Sequence, residues 1–226
     1  MKKSLIYFLL FALSTSVFAQ SGAIRKLDKF TSISVSEGIS VNLIKGNSHQ
    51  AKITLYKNID LEEVLTEVSG STLKIHLDGN NHNNVNVTID VTFVSLESVR
   101  ASSAADINSS SVIEADDFKV KASSAADVTL ELKVTTLEAD ASSAADITLS
   151  GTVGSQTVDI SSAADYNAFG LKSKTANVSA SSGSDAKVNV SGSLDASASS
   201  GGSVKYKGNP DKLREHSSSG GDVREY

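Results

Sequence analysis

From Val120 to Leu130 apolar and small residues occupy every second position. Val120, Ala122, Ser124, Ala126, Val128 and Leu130 alternate with Lys119, Lys121, Ser123, Ala125, Asp127, Thr129 and Glu131. A period of two places one set on each face of a β-strand and rules out a helical stripe. Leu137, Ala139, Ala141, Ser143, Ala145, Ile147 and Leu149 repeat the pattern. Both stretches contain the phrase Ala-Ser-Ser-Ala-Ala-Asp, which recurs with falling fidelity in copies ending at Asp106, Asp127, Asp146, Asp165, Asp185, Ser203 and Asp222. The steps between copies are 21, 19, 19, 20, 18 and 19 residues. A drifting period of about 20 residues built from strands predicts a stacked solenoid whose insertions are absorbed at corners. The fold class is therefore all-β, a parallel β-helix (β-solenoid), right-handed by the general rule for crossovers between parallel strands.

The N-terminal part carries the same alternation without the repeat. Ile33 and Val35, then Ile39, Val41 and Leu43, predict two short strands around Ser36-Glu37-Gly38, and Ala51, Ile53 and Leu55 a third. Leu61, Val64, Leu65 and Val68 follow helical spacing behind Asp60, so one or two helical turns are predicted over 58–68, covering the open end of the stack. Strands resume at Leu73, Ile75 and Leu77. A polar loop over 78–84 holding His82 precedes Val85 to Phe93, and the regular repeats begin near Leu96.

The opening MKKSLIYFLLFALSTSVFAQ has two lysines, a short apolar run and small residues before Ala19, which predicts an export signal over residues 1–19. No later run has the roughly 20 apolar residues of a membrane helix. Without cysteine there is no disulfide to staple the fold, so stability must come from burial and the backbone ladder. Losing Lys2 and Lys3 with the signal takes the formal charge from -5 to -7, which argues against nucleic acid and anionic lipid as partners. The seven phenylalanines, five tyrosines and absence of tryptophan suit a slim core.

The candidate chemistry lies in the repeated phrase. Extending the alternation through it turns Ser103, Ser124, Ser143, Ser162, Ser182, Ser200 and Ser219 inward as a hydrogen-bonded ladder, a structural role with no histidine recurring beside it. Asp106, Asp127, Asp146, Asp165, Asp185 and Asp222 turn outward as a column, in which each carboxylate is expected to accept corner N–H bonds. They are also the candidate binding residues. A calcium roll would need glycines around each Asp and a nine-residue period, so no metal and no cofactor is expected. His49, His76, His82 and His216 lack ligand spacing. A carboxylate pair meeting a Lys or Arg across neighbouring rungs would point instead to a polysaccharide-degrading β-helix enzyme.

The opening Phe30-Thr-Ser-Ile-Ser-Val-Ser-Glu-Gly38-Ile39-Ser40-Val41, the segments Thr66-Glu67-Val68 and Ser71-Thr72-Leu73-Lys74-Ile75, the Ser-Ser/Gly-Ala-Asp corners and the closing Val204 to Pro210 together resemble the putative auto-transporter adhesin head GIN domain family of exported Gram-negative proteins. Ser40 stands where that family's name-giving Gly-Ile-Asn has Asn. The resemblance implies one parallel β-helix domain over 20–226, irregular over 24–95 and regular over 96–226, with no catalytic residues to carry over. It also implies a non-enzymatic adhesion or envelope scaffold role in the periplasm or at the cell surface. The partner would be a surface glycan, a polymer or another envelope protein.

Overall fold

The computed structural model describes residues 22–57, 59–79 and 85–226, so the expected export signal, Asn58 and the loop residues around His82 lie outside the described residues. Among the described residues seventeen strands form one continuous sheet that winds on itself in a parallel β-solenoid of about seven turns. Its regular part comprises β10 (Ile113–Ser123), β11 (Asp127–Ser142), β12 (Asp146–Ile160), β13 (Asp165–Ala180) and β14 (Asp185–Ala198), followed by β15 (Ser203–Lys207), β16 (Lys212–Ser217) and β17 (Asp222–Glu225). Asp127 pairs with Asp146, Asp146 with Asp165 and Asp165 with Asp185, so the repeated phrase stacks on itself in register. The alternation changes phase once in β10, β11 and β12, twice in β13 and not at all in β14. In β11 it does so at Thr135 and Thr136, both exposed between buried Val134 and Leu137. Each rung thus has an arm leaving the Ala-Asp corner and an arm returning to the next one.

The corner itself differs from the sequence expectation. Ser124 and Ala125 both have positive φ, 56° and 58°, and both are exposed, whereas Ala126 is fully buried. The same holds at Ser103-Ala104, Ser143-Ala144 and Ser162-Ala163, with φ between 53° and 60°. Two successive left-handed residues make the tight reversal used in two-residue hairpins. The turn is closed by bonds such as Ala105 N–H to the Ser102 carbonyl at 3.2 Å and Ser184 N–H to Ser181 at 3.2 Å. The serine ladder therefore points out, not in. From Ala122 to Ala126 the turn uses an even number of positions, so the alternation re-enters in phase and the corner reads as unbroken strand. Left-handed alanine costs roughly 1 to 2 kcal/mol, and the stack holds it in place. The N–H groups of Ala104, Ala125, Ala144 and Ala163 donate to the carbonyls of Ser124, Ser143, Ser162 and Ser182 at 3.0 to 3.1 Å. Gly183, Gly201 and Gly220 occupy this position in the last corners, where φ runs from 73° to 77° without a Cβ to strain.

The N-terminal end is closed by strands rather than by a helix. The predicted helix shrinks to the 3-10 turn Leu61–Glu63, where the Glu63 carboxylate accepts the Asp60 N–H at 2.9 Å; Val64–Ser69 continues as β5. The burial of Leu73, Ile75 and Leu77 on β6 (Thr72–Leu77) explains this, because β5 completes its sheet as an antiparallel neighbour. β1 (Gly22–Lys26) pairs antiparallel with β4 (Gln50–Lys57), and β4 with β7 (Asn86–Phe93). The first turn, β2 (Ser32–Val35) and β3 (Ser40–Lys45), lies between β6/β7 on one side and β8 (Ser98–Ala101) and β9 (Asp106–Ser109) on the other, so spatial and sequence order differ here. The Arg25 guanidinium fastens this cap by donating to the carbonyls of Val64 and Leu61 at 2.5 and 2.8 Å. At the other end polar residues take over inward places: Glu215 follows Ala196, Ser217 follows Ala198 and Glu225 follows Tyr206. A polar final rung caps the core, as terminal repeats of solenoids do.

Candidate functional site: the columns flanking the corner

Beyond the corner the candidate aspartates form the expected outward column. Asp106, Asp127, Asp146, Asp165 and Asp185 are consecutive, Ser203 interrupts, and Asp222 ends it. Rungs are about 4.8 Å apart. Among the described residues no carboxylate of the column accepts a corner N–H bond, contrary to expectation. The nearby donors are already spent on the ladder, with Asp127 N–H on the Ala105 carbonyl at 2.9 Å and Asp146 N–H on Ala126 at 3.0 Å. Among the described residues Asp106 instead accepts from Asn108 Nδ2 at 2.8 Å, and Asp222 is bound by Arg224. Burial first, and then the charges of Asp165 and Asp127, raise the Asp146 carboxyl above the usual aspartate range. Burial and then Asp127 do the same for Asp106, opposed by Asn108. Among the described residues no cluster of three or more His, Asp or Glu is arranged to hold a metal ion.

The arm before the corner carries a second line. Ser34, Arg100, Lys121, Asp140 and Asp159 follow one another in register. Lys121 Nζ lies 2.6 Å from Asp140 and 4.0 Å from Glu138, which in turn holds Lys119 at 2.5 Å. Arg100, Lys121, Asp140 and Asp159, with Ser123, Ser142 and Ser161, line a depression of about 360 Å³. Sequence reading missed this line because its members are some 20 residues apart and belong to no motif. The in-register stack alone makes them neighbours.

The interior is filled. Tyr166, Gln156 and Ser173 are buried and bonded in series: Tyr166 Oη donates to Gln156 Oε1 at 2.8 Å, Gln156 Nε2 to Ser173 Oγ at 2.9 Å, and Ser173 Oγ to the Asn189 carbonyl at 2.8 Å. Ser184 replaces the corner alanine and satisfies its hydroxyl on the Ile160 and Ser181 carbonyls. These groups are structural. Of the histidines, His49 packs its ring 4.7 Å from Phe30, and His82 lies outside the described residues.

With this geometry established, residues 29–210 match the family model described as "putative auto-transporter adhesin, head GIN domain". The chain belongs to the GIN domain family. Solved structures similar to it include a putative adhesin from Bacteroides fragilis, at 18% identity over 91% of this chain and 96% of that one with a TM-score of 0.84. Another, from Parabacteroides merdae, is 19% identical over 91% and 95%, with a TM-score of 0.74. A third, described as a putative lipid binding protein from Parabacteroides distasonis, is 17% identical over 91% and 96%, with a TM-score of 0.69. At such identities the likeness establishes the fold of this GIN chain and leaves its ligand open. No match was found among curated proteins.

Proposed function

We propose that this GIN chain is an exported, non-enzymatic binding or scaffold module of the cell envelope, and that its outer sheet faces contact a surface glycan, a polymer or another envelope protein. In this reading residues 1–19 direct export and are removed, and 20–226 form one unit. The supporting observation is the in-register outer surface: polar columns run from rung to rung, and the corners are two residues long. Family membership agrees with an adhesive role. No helix among the described residues is long and apolar enough to cross a membrane. Fractionation of the producing cells combined with surface labelling tests the location. The protein is expected in the periplasm or on the outer surface; recovery in the cytoplasm contradicts the reading.

One observation favours a second reading. Arg100, Lys121, Asp140 and Asp159 are the carboxylate pair with cations across neighbouring rungs that a polysaccharide-degrading enzyme requires. Against it, Lys121 holds Asp140 in a close ion pair. Effective acid–base chemistry also calls for a site that positions substrate and excludes water.

A further inference from the structure

The outward positions two residues beyond the Asp column change from neutral to basic along the rod. In its N-terminal half they are Asn108, Thr129, Thr148 and Asn167; in the last three rungs they become Lys187, Lys205 and Arg224, stacked in register. Lys207, next along its strand from Lys205, extends the patch and pairs with Asn189 of the neighbouring rung. Asp222 is engaged by Arg224, and Asp185 precedes Lys187 on its strand. Lys187, Lys205 and Lys207 have no ion-pair partner among the described residues. Elsewhere Lys45, Lys119, Lys121 and Lys133 are all tied to carboxylates.

A second feature meets the patch at the same place. Between Ala168, which pairs with Val188, and Lys172, which pairs with Asn189, the register slips, so β13 carries extra residues that its neighbour lacks. Phe169, at the start of the slip, keeps the outward parity of Asp165 and Asn167 and is half-buried, whereas Ala168 and Leu171 are fully buried. Bulges are over-represented beside functional places. The Phe169 ring lies 4.9 Å from the Tyr226 ring at 58°, and Lys207 Nζ stands 4.8 Å from its centroid. Tyr226 is 82% exposed while its N–H is fixed on the Tyr206 carbonyl at 2.9 Å. An aromatic pair beside ammonium groups without ion-pair partners suits a ligand that has both apolar ring faces and anionic groups.

Resting on the reading of this chain as a binding module, we propose that Phe169, Tyr226, Lys187, Lys205 and Lys207 form a binding site for an acidic polysaccharide bearing carboxylate or phosphate groups. The lysines meet the anions and the aromatic pair packs on sugar ring faces. Stacked lysines repeat along the rod as charges repeat along such a polymer, so successive residues of one chain engage successive rungs.

Retention of the mature protein on immobilised polygalacturonate, a phosphomannan and neutral dextran tests this, with vesicles of phosphatidylethanolamine and phosphatidylglycerol as a separate arm. The expected result is binding to at least one acidic polymer, little to dextran, and loss of binding as sodium chloride rises from about 0.05 to about 0.5 M. Lys187→Gln/Lys205→Gln/Lys207→Gln should weaken retention about tenfold or more. Phe169→Ala, checked for folding by circular dichroism, should weaken it about threefold with an unchanged salt dependence. Lys26→Gln/Lys29→Gln/Lys52→Gln, at the opposite end, should bind like the parent. Absence of binding to either acidic polymer, equal retention of the patch variant, equal binding to dextran, or binding to anionic vesicles alone would each overturn the proposal. Isolated envelopes separate it from the broader reading: equal attachment by parent and patch variant removes this site and leaves the binding module standing, while attachment by neither removes both.

Discussion

Tyr166 Oη donates to Gln156 Oε1 at 2.8 Å inside the solenoid, so the largest fully buried side chain among the described residues is tied to a polar one in the rung beneath it. Burial raises the Tyr166 hydroxyl well above the ordinary tyrosine range, so it remains a donor at any pH the protein meets. Tyr166→Phe keeps the packing and leaves the Gln156 oxygen without its donor. The expected loss is about 1 to 3 kcal/mol in urea denaturation. Adding Gln156→Leu should not restore full stability, because Ser173 then loses the donor that reaches it from Gln156.

The corners make a prediction of opposite sign. Ala144 is exposed, has φ 58° and uses its N–H on the Ser162 carbonyl. Ala144→Gly should stabilise by about 0.5 to 1 kcal/mol, since relief of left-handed strain exceeds the added freedom of the unfolded chain. One residue on, Ala145 is fully buried, and Ala145→Leu should cost about 1 to 3 kcal/mol by overpacking. Thermal melts of the two variants should move in opposite directions.

The aspartate column gives a pH dependence. Asp106 and Asp146 titrate above the ordinary value of 3.8, so the folded state binds protons more readily than the unfolded chain. Their contribution is therefore most favourable below that value and is lost as pH rises through the raised values. Asp146→Asn should flatten this part of the stability profile. At pH 7 the gain should be under about 1 kcal/mol, because neighbouring rungs repel through partly exposed, screened carboxylates. Added sodium chloride should raise parent stability slightly and the variant less. Melting should not differ between calcium and chelator; a large calcium-dependent rise abolished by Asp127→Asn/Asp146→Asn would establish a cation site in the column.

Rungs should also be separable. Removing 127–145 takes out one whole period and rejoins equivalent corners, so a shorter folded rod is expected by circular dichroism and a cooperative melt. Removing 127–138 leaves a mismatched arm and should prevent cooperative folding.

What the sequence disclosed follows from the same physics. Alternation at Val128, Leu130, Leu137 and Ala139 revealed strands, and the drifting repeat revealed the stack, because burial imposes a period of two on every rung. The outward Asp column was legible for the same reason. The serines were misassigned since a turn spanning an even number of positions leaves the alternation in phase, and left-handed Ser124-Ala125 carries none of the glycine that would signal it. Leu61, Val64, Leu65 and Val68 suggested a helix until the antiparallel pairing of β5 with β6 overrode local preference. The Phe169–Tyr226 contact and the Arg100–Asp159 line depend on register between distant residues, for which single-chain pattern reading has no signal.

The most direct measurement concerns binding without turnover. The mature protein is incubated with envelope polysaccharide from the producing cells, and retention of the protein and chain length of the polymer are followed together. Saturable retention with no new reducing ends and no shortening of the polymer is the predicted result. Progressive shortening that disappears in Asp140→Asn/Asp159→Asn would contradict the account and make the Arg100–Asp159 line an active site.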